Sequence, residues 1–294
     1  METFTLDLIA LQVFTGLALG AVYVLLATGL SLIFGMLTIV NFAHGAFFMV
    51  GAYAGYAIYR YVPNFWLCLV LVPAVVALAG MAAERMLIRP LYGRGIDYPL
   101  LLTFGLAYVM VELVRIGFGK QGLSVDTPEV LQGAADIVIG QFPIYRLFVV
   151  GVAALVLGGL WLFIEKTSYG LIIRAGARDP QIVRILGIDI ARVWLIVFGL
   201  GTGIAGLAGF LSAPMQGISP EMGGPVLTVA FVVTVIGGMG SLPGAIVAGL
   251  LVGVVESLAV LWLPEAAKVS MFFIMAFVLL VRPHGLFGRA GLMS

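Results

Sequence analysis

Long apolar runs decide what this chain can fold into. A bilayer core takes about 20 apolar residues per crossing helix. On that ruler, apolar segments stand near 8–34, 43–60, 65–88, 98–118, 143–164, 193–213, 224–239, 244–262 and 267–281. Composition agrees: 62% of the 294 residues are hydrophobic and 10% are charged, against roughly half and a quarter in soluble domains. The expected fold is all-α, a polytopic transmembrane helical bundle of about 8–10 spans, making one domain over 1–294. The stretches 34–44 and 213–225 put Gly, Pro and Asn into apolar sequence, so broken or re-entrant helices are expected there. The start, METFTLDLIALQVF, lacks a basic n-region and a small-residue cleavage site, and reads as a retained first span. Thirty-nine glycines sit within apolar runs, where small residues let helices approach closely.

One polar island interrupts this pattern, over 165–192. It holds Glu165, Lys166, Arg174, Arg178, Asp179, Arg184, Asp189 and Arg192. Such a stretch cannot lie in lipid, so it forms a loop at a membrane face. Asp179-Pro180 is a helix start: Asp caps free N–H groups and Pro fits the first helical position. A short helix over Gln181–Leu186 is expected, stopped by Gly187.

Basic residues orient the chain. Stretch 84–97, the island and the C-terminal end carry ten of the fifteen Lys and Arg: Arg85, Arg89, Arg94, Lys166, Arg174, Arg178, Arg184, Arg192, Arg282 and Arg289. The other side holds Arg60, Arg115, Lys120, Arg146 and Lys268. The positive-inside rule places the first set in the cytoplasm and, with nine crossings, the N-terminus outside. The net charge of +1 follows from topology and gives no sign of nucleic acid. The outside loop 119–142 is expected to hold a short hairpin or a surface-lying helix. Gly-rich stretches near 29–51 and 237–253 hint at an internal echo.

Several patterns invite a chemical reading. Gly201-Thr202-Gly203-Ile204-Ala205-Gly206 matches the dinucleotide pattern GxGxxG, but no strand precedes it and no acid follows at the right distance. Close helix packing through Gly203 and Gly206 is the better reading, as it is for Gly249 and Gly253. Asn41 and His44 put an amide and an imidazole between apolar runs. Either they line a pathway, or Asn41 caps the next helix and His44 is satisfied locally. Glu112 has Arg115 one helical turn away, which suits a local ion pair. Glu256 has no local partner; a substrate path and a structural pairing both stay open. Gly237–Gly244 reads as a sharp hairpin. Cys68 stands alone, which excludes an internal disulfide and a cysteine metal cluster. His44 and His284 have no acid beside them, so no zinc site is expected. No nucleophile stands with a base and the phosphate loop G-x-x-x-x-G-K-[ST] is missing, so neither catalysis nor a bound cofactor is expected; any ATP would be bound by another chain.

Six stretches then carry a resemblance: NFAHG at 41–45, TSYGLIIRA at 167–175, DPQIVRILGI at 179–188, GISPEMG at 217–223, GGMGSLPGA at 237–245 and VRPHGLFGR at 281–289. Together they resemble the inner-membrane permeases of bacterial branched-chain amino acid ABC importers, closest to the shorter, H-type subunit, over nearly the whole chain. The resemblance implies a second homologous permease subunit, two cytoplasmic ATPase subunits and a periplasmic binding protein, in contact with membrane lipid and driven by alternating access. It implies that Asp179–Leu186 docks on an ATPase, with Tyr169, Gly170, Arg174 and Ala175 leading in, so that the coupling set is Tyr169, Gly170, Arg174, Ala175, Asp179, Pro180, Arg184 and Gly187. Relatives carrying urea, short amides or other amino acids keep the substrate open. A secondary transporter coupled through Glu256 is the alternative class, and it leaves the island unexplained.

Overall fold

The computed structural model describes residues 6–95, 97–137 and 140–288. The chain is almost wholly helical: α1 (Leu6–Leu37), α2 (His44–Tyr61), α3 (Phe65–Ala83), α4 (Asp97–Phe118), α5 (Ile144–Lys166), α6 (Ser168–Arg178), α7 (Pro180–Ile185), α8 (Ile190–Gln216), α9 (Gly223–Gly237), α10 (Leu242–Trp262) and α11 (Ser270–Val281). Among the described residues, seven helical stretches are long and apolar enough to cross a membrane. Helices α2 and α9 are the two broken ones. α9 has 15 residues and rises about 22 Å at 1.5 Å per residue, short of the roughly 30 Å hydrocarbon layer.

Helix α1 is the pillar. It is apolar all round and buried along most of its length, which is how a helix enclosed by others reads. α10 lies antiparallel to it, with the Ser257 hydroxyl donating to the Gln12 carbonyl at 2.8 Å. α8 crosses it at two glycines. A Cβ on Gly29 would stand 2.5 Å from the Gly201 carbonyl oxygen, and one on Gly201 2.7 Å from that of Gly29. Lipid tails are as apolar as Leu, so helices in a bilayer gain little by burying apolar surface. Close backbone approach and dispersion hold them together instead. The other glycines singled out above stand at such approaches. A Cβ at Gly203 would lie 2.9 Å from the Pro73 carbonyl oxygen, at Gly206 2.7 Å from Val76, at Gly249 2.6 Å from Val24 and at Gly253 2.5 Å from the Gly16 carbonyl oxygen. Helices α3, α4, α5 and α11 form the outside of the bundle, with few of their side chains fully buried.

The chain runs the same course twice, in opposite directions. α1 runs to Leu37, 38–43 turns back without helix, and α2 begins partway along α1, where His44 reaches the Leu26 carbonyl. α8 runs to Gln216, 217–222 turns back, and α9 begins where Gly223 packs on Gly45. α3 and α10 then cross. By element order the matching stretches are thus 6–83 and 190–262. Both interrupted regions expected from sequence are breaks of this kind, although α1 and α8 continue helical to Leu37 and Gln216 first.

Ala134–Ile137 (β1) and Gly140–Pro143 (β2) form an antiparallel hairpin. The loop before it pairs Leu123 with Ile218 at the second break. Arg115 bridges Glu112 at 2.5 Å and Glu221 at 2.8 Å, so the expected local pair is a three-residue cluster tying α4 to that break. Gly237–Gly244 is a hairpin as expected. Ser241 caps α10 by accepting from Gly244 N–H at 3.2 Å, and Gly240 packs on Gly35. The segment after α11 lies beside it, with Leu286 N–H donating to the Ile236 carbonyl at 2.8 Å. Arg289 lies outside the described residues.

Forcing a side chain into an α3–α8 approach should overpack it. Gly206→Leu should lower the stability of the protein in detergent by about 2–3 kcal/mol. Gly158→Leu on α5, where nothing stands within 4 Å, should leave the thermal midpoint unchanged. Equal midpoints for both variants would contradict the packing role.

Candidate functional site

The polar island folds as two short helices, α6 and α7, between α5 and α8. Thr167 starts α6 by accepting from Gly170 N–H at 3.0 Å. Asp179 starts α7, its Oδ1 accepting from Gln181 and Ile182 N–H at 2.9 and 3.1 Å, with Pro180 at the first position. Gly187, at φ +79°, ends α7. Its N–H returns to the Arg184 carbonyl, and that of Ile188 to the Val183 carbonyl, which is the paired closure favoured by a left-handed glycine. Asp189 then caps α8 through Ala191 N–H at 3.1 Å.

The sequence left two features of this loop unread. The first is α6 itself. It is strongly amphipathic, and turns Gly170, Ile173 and Gly176 inward. A Cβ on Gly170 would stand 2.1 Å from the Ile164 carbonyl oxygen, and one on Gly176 2.7 Å from Met36 of α1. The second is where the arginines point. Arg174 turns inward, donating to the Ile164 carbonyl and pairing with Glu165 at 3.0 Å. It fastens α6 to the end of α5. Arg184 lies over the Trp194 ring, 5.8 Å from its centroid. Tyr169 stays exposed on α6. Ala175 is exposed as well, and the Asp179 N–H donates to its carbonyl at 3.0 Å.

A buried carboxylate links this loop to α3. The charged stretch from 84 is helical to 91, first in a π-turn and then in a 3-10 turn, so Glu84 is enclosed by the bundle. It accepts from Arg89 Nε at 3.2 Å, Arg89 NH2 at 2.8 Å and the Tyr92 hydroxyl at 2.9 Å. Arg89 also donates to the Ala191 carbonyl at 3.1 Å. Tyr92 meets Trp194 edge to face at 4.9 Å. Burial, then the Glu84 charge, pushes the Tyr92 phenol far above its usual range, so it stays a donor. A chain of contacts therefore runs from α7 through Arg184, Trp194, Tyr92 and Arg89 to Glu84 on the end of α3. A fork-shaped Arg–carboxylate pair carries direction as well as energy, which suits a mechanical link.

Within the bilayer, the sequence candidates separate. His44 is fully buried against α1, its Nε2 3.0 Å from the Leu26 carbonyl oxygen. Glu256 is paired: the Tyr23 hydroxyl donates to its Oε2 at 2.9 Å. Tyr23 lies 233 residues away in sequence, which is why local spacing did not reveal it. Asn41 does two things. Its Oδ1 accepts from Ala43 N–H at 3.1 Å, shaping the turn into α2, while its Nδ2 has no protein partner. Asn41 also lines a cavity of about 250 Å³ with Leu30, Val40, Phe42, Leu227 and Phe231. The three candidates thus occupy different places: one lines a cavity, and two sit in helix contacts.

This architecture, a multi-pass membrane bundle with two broken helices and a structured polar loop, is that of a transport permease. Over residues 12–282 the chain matches the family described as "Branched-chain amino acid transport system / permease component". It belongs to that family, as a permease component of a branched-chain amino acid ABC transport system. The chain is 30% identical to the high-affinity branched-chain amino acid transport system permease protein LivH of Escherichia coli K12, over 95% of each chain. It is also 28% identical to LivM of the same organism, over 90% of this chain and 67% of that one. Among solved structures, PsaBC from Streptococcus pneumoniae in complex with Fab shares the fold, with a TM-score of 0.50 and 12% identity over 91% of this chain and 89% of that one.

Glu84→Ala should strand Arg89 and Tyr92. Because Arg89 keeps contact with water, the loss should be about 2–3 kcal/mol, below the roughly 3–5 kcal/mol of a fully buried pair. A thermal unfolding midpoint equal to wild type would remove Glu84 from the framework.

Proposed function

We propose that this chain forms one half of the membrane conduit of a bacterial inner-membrane importer and has no chemistry of its own. A second, homologous permease supplies the other half. Two ATPase subunits in the cytoplasm bind and hydrolyse ATP, and a periplasmic binding protein delivers a branched-chain amino acid. Similarity to both LivH and LivM, two differently named permease proteins of one organism, supports a pairing of unlike halves.

The observation that carries this reading is the face of α7. Ile182, Ile185 and Leu186 stand 56%, 83% and 71% exposed on a cytoplasmic helix. A contiguous apolar face in water marks a contact with another protein. The helix is too short to hold itself, at 6 residues; helices below roughly 12–15 residues are marginal alone. It is held by the Asp179 cap, the Gly187 closure and the Arg184–Trp194 stack. A docked ATPase would therefore move α7 and α6 together. Arg174 and Gly170 would pass that motion to α5, and the Trp194–Tyr92–Arg89–Glu84 chain would pass it to α3 and α8. Alternating access then needs only small rigid-body shifts of helices about their glycine contacts.

Ile185→Asp should reduce co-purification of the ATPase subunits at least tenfold, while the protein still inserts in the membrane. Undiminished co-purification would overturn the docking role. In liposomes holding the assembled system, leucine-loaded binding protein should stimulate ATP hydrolysis. Stimulation by urea alone would keep the mechanism and replace the substrate.

A further inference from the structure

From the meeting point of the two broken helices, we infer a binding subsite for an α-amino acid, in which the Asn41 amide donates to the substrate carboxylate and the adjoining apolar cavity takes its aliphatic side chain. This rests on the reading of the chain as an amino acid permease and assigns residues to it.

Three independent observations meet here. First, the N-terminal turns of α2 and α9 abut inside the layer: a Cβ on Gly45 would stand 2.1 Å from the Gly223 carbonyl oxygen. No side chain caps either N-terminus. Each helix start carries a partial positive charge, and the two stand together at the break. Anionic groups of substrates are held at such ends of interrupted membrane helices. Second, Asn41 is fully buried beside them with Nδ2 unpartnered. A buried amide donor left unsatisfied costs about 1–3 kcal/mol, and a carboxylate oxygen removes that cost. Its Oδ1 is already engaged by Ala43 N–H, so the amide is oriented with the donor free.

Third, the cavity that Asn41 lines is mostly apolar, walled by Leu30, Val40, Phe42, Leu227, Phe231 and Val232. Its volume of about 250 Å³ equals roughly eight waters of the liquid, room for the nine heavy atoms of leucine. Thr228 is the other polar residue on the wall. Its hydroxyl donates to the Gly224 carbonyl at 3.3 Å, so its oxygen remains able to accept. The balance of groups suits an aliphatic side chain and a carboxylate, and the Thr228 oxygen can accept from the substrate's ammonium. Neutral urea would leave the apolar wall unfilled.

The test uses the assembled transporter in liposomes, with L-leucine as probe and leucine taken up per ATP hydrolysed as readout. Asn41→Asp keeps the oxygen that holds the turn, removes the donor and sets a negative charge against the carboxylate. The uptake ratio should fall more than tenfold, with co-purification of all subunits as the control for assembly. A ratio within twofold of wild type overturns the subsite. Should Asn41→Asp fail to assemble, Thr228→Trp decides the matter, because Thr228 is exposed on α9 and the indole would fill the cavity. Loss of uptake supports the subsite, and retained uptake overturns it. Wild-type protein that moves another solute but no leucine overturns the substrate reading itself, a result distinct from either variant outcome.

Discussion

Everything in this bundle depends on the close approach of helix backbones to α1. In lipid, an exposed leucine and a buried one face similar surroundings, so apolar burial cannot select the arrangement. Selection falls to contacts that only missing side chains allow. Gly29 and Gly201 set α8 against α1, and Gly16, Gly20, Gly249 and Gly253 set α10 against it. With those distances fixed, the two return segments have one place to go. Their helices begin inside the layer and meet at Gly45 and Gly223.

That arrangement separates the bundle into parts with different duties. α1, α8 and the start of α2 are enclosed and tightly packed, and they surround the polar groups of the break. Peripheral helices face lipid or a neighbouring subunit. The polar loop has two anchors: Arg174 holds α6 to α5, and the Glu84 cluster holds the base of α8 to α3. The exposed apolar tip on α7 lies between the anchors.

The internal inversion gives the break its meaning. One broken helix alone would present a single uncapped end. Two copies of opposite direction bring both positive ends to one point, beside the buried Asn41 amide, whose Nδ2 has no protein partner. The same local event, a helix interrupted by Gly, Asn or Pro, thus becomes a place for an anion once it is repeated upside down.

Much of this was legible in the chain itself. Apolar run length marked the helices, seven of which, among the described residues, are long and apolar enough to cross a membrane. The breaks at 34–44 and 213–225 were visible because Gly, Pro and Asn disrupt helices locally. The α7 start was visible because an Asp–Pro cap is a property of adjacent residues. Six short stretches in order were enough to point to the family. Only tertiary structure decided the rest: that α1 is central, that Arg174 turns inward, that Glu84 binds Arg89 and Tyr92, and that Tyr23 completes Glu256. In a soluble protein the polar face of a helix reveals which side is buried. In a membrane both sides are apolar, and that signal is lost. The partners of Glu256 and Gly223 lie 233 and 178 residues away in sequence, where no local pattern reaches and only the packed fold brings them together.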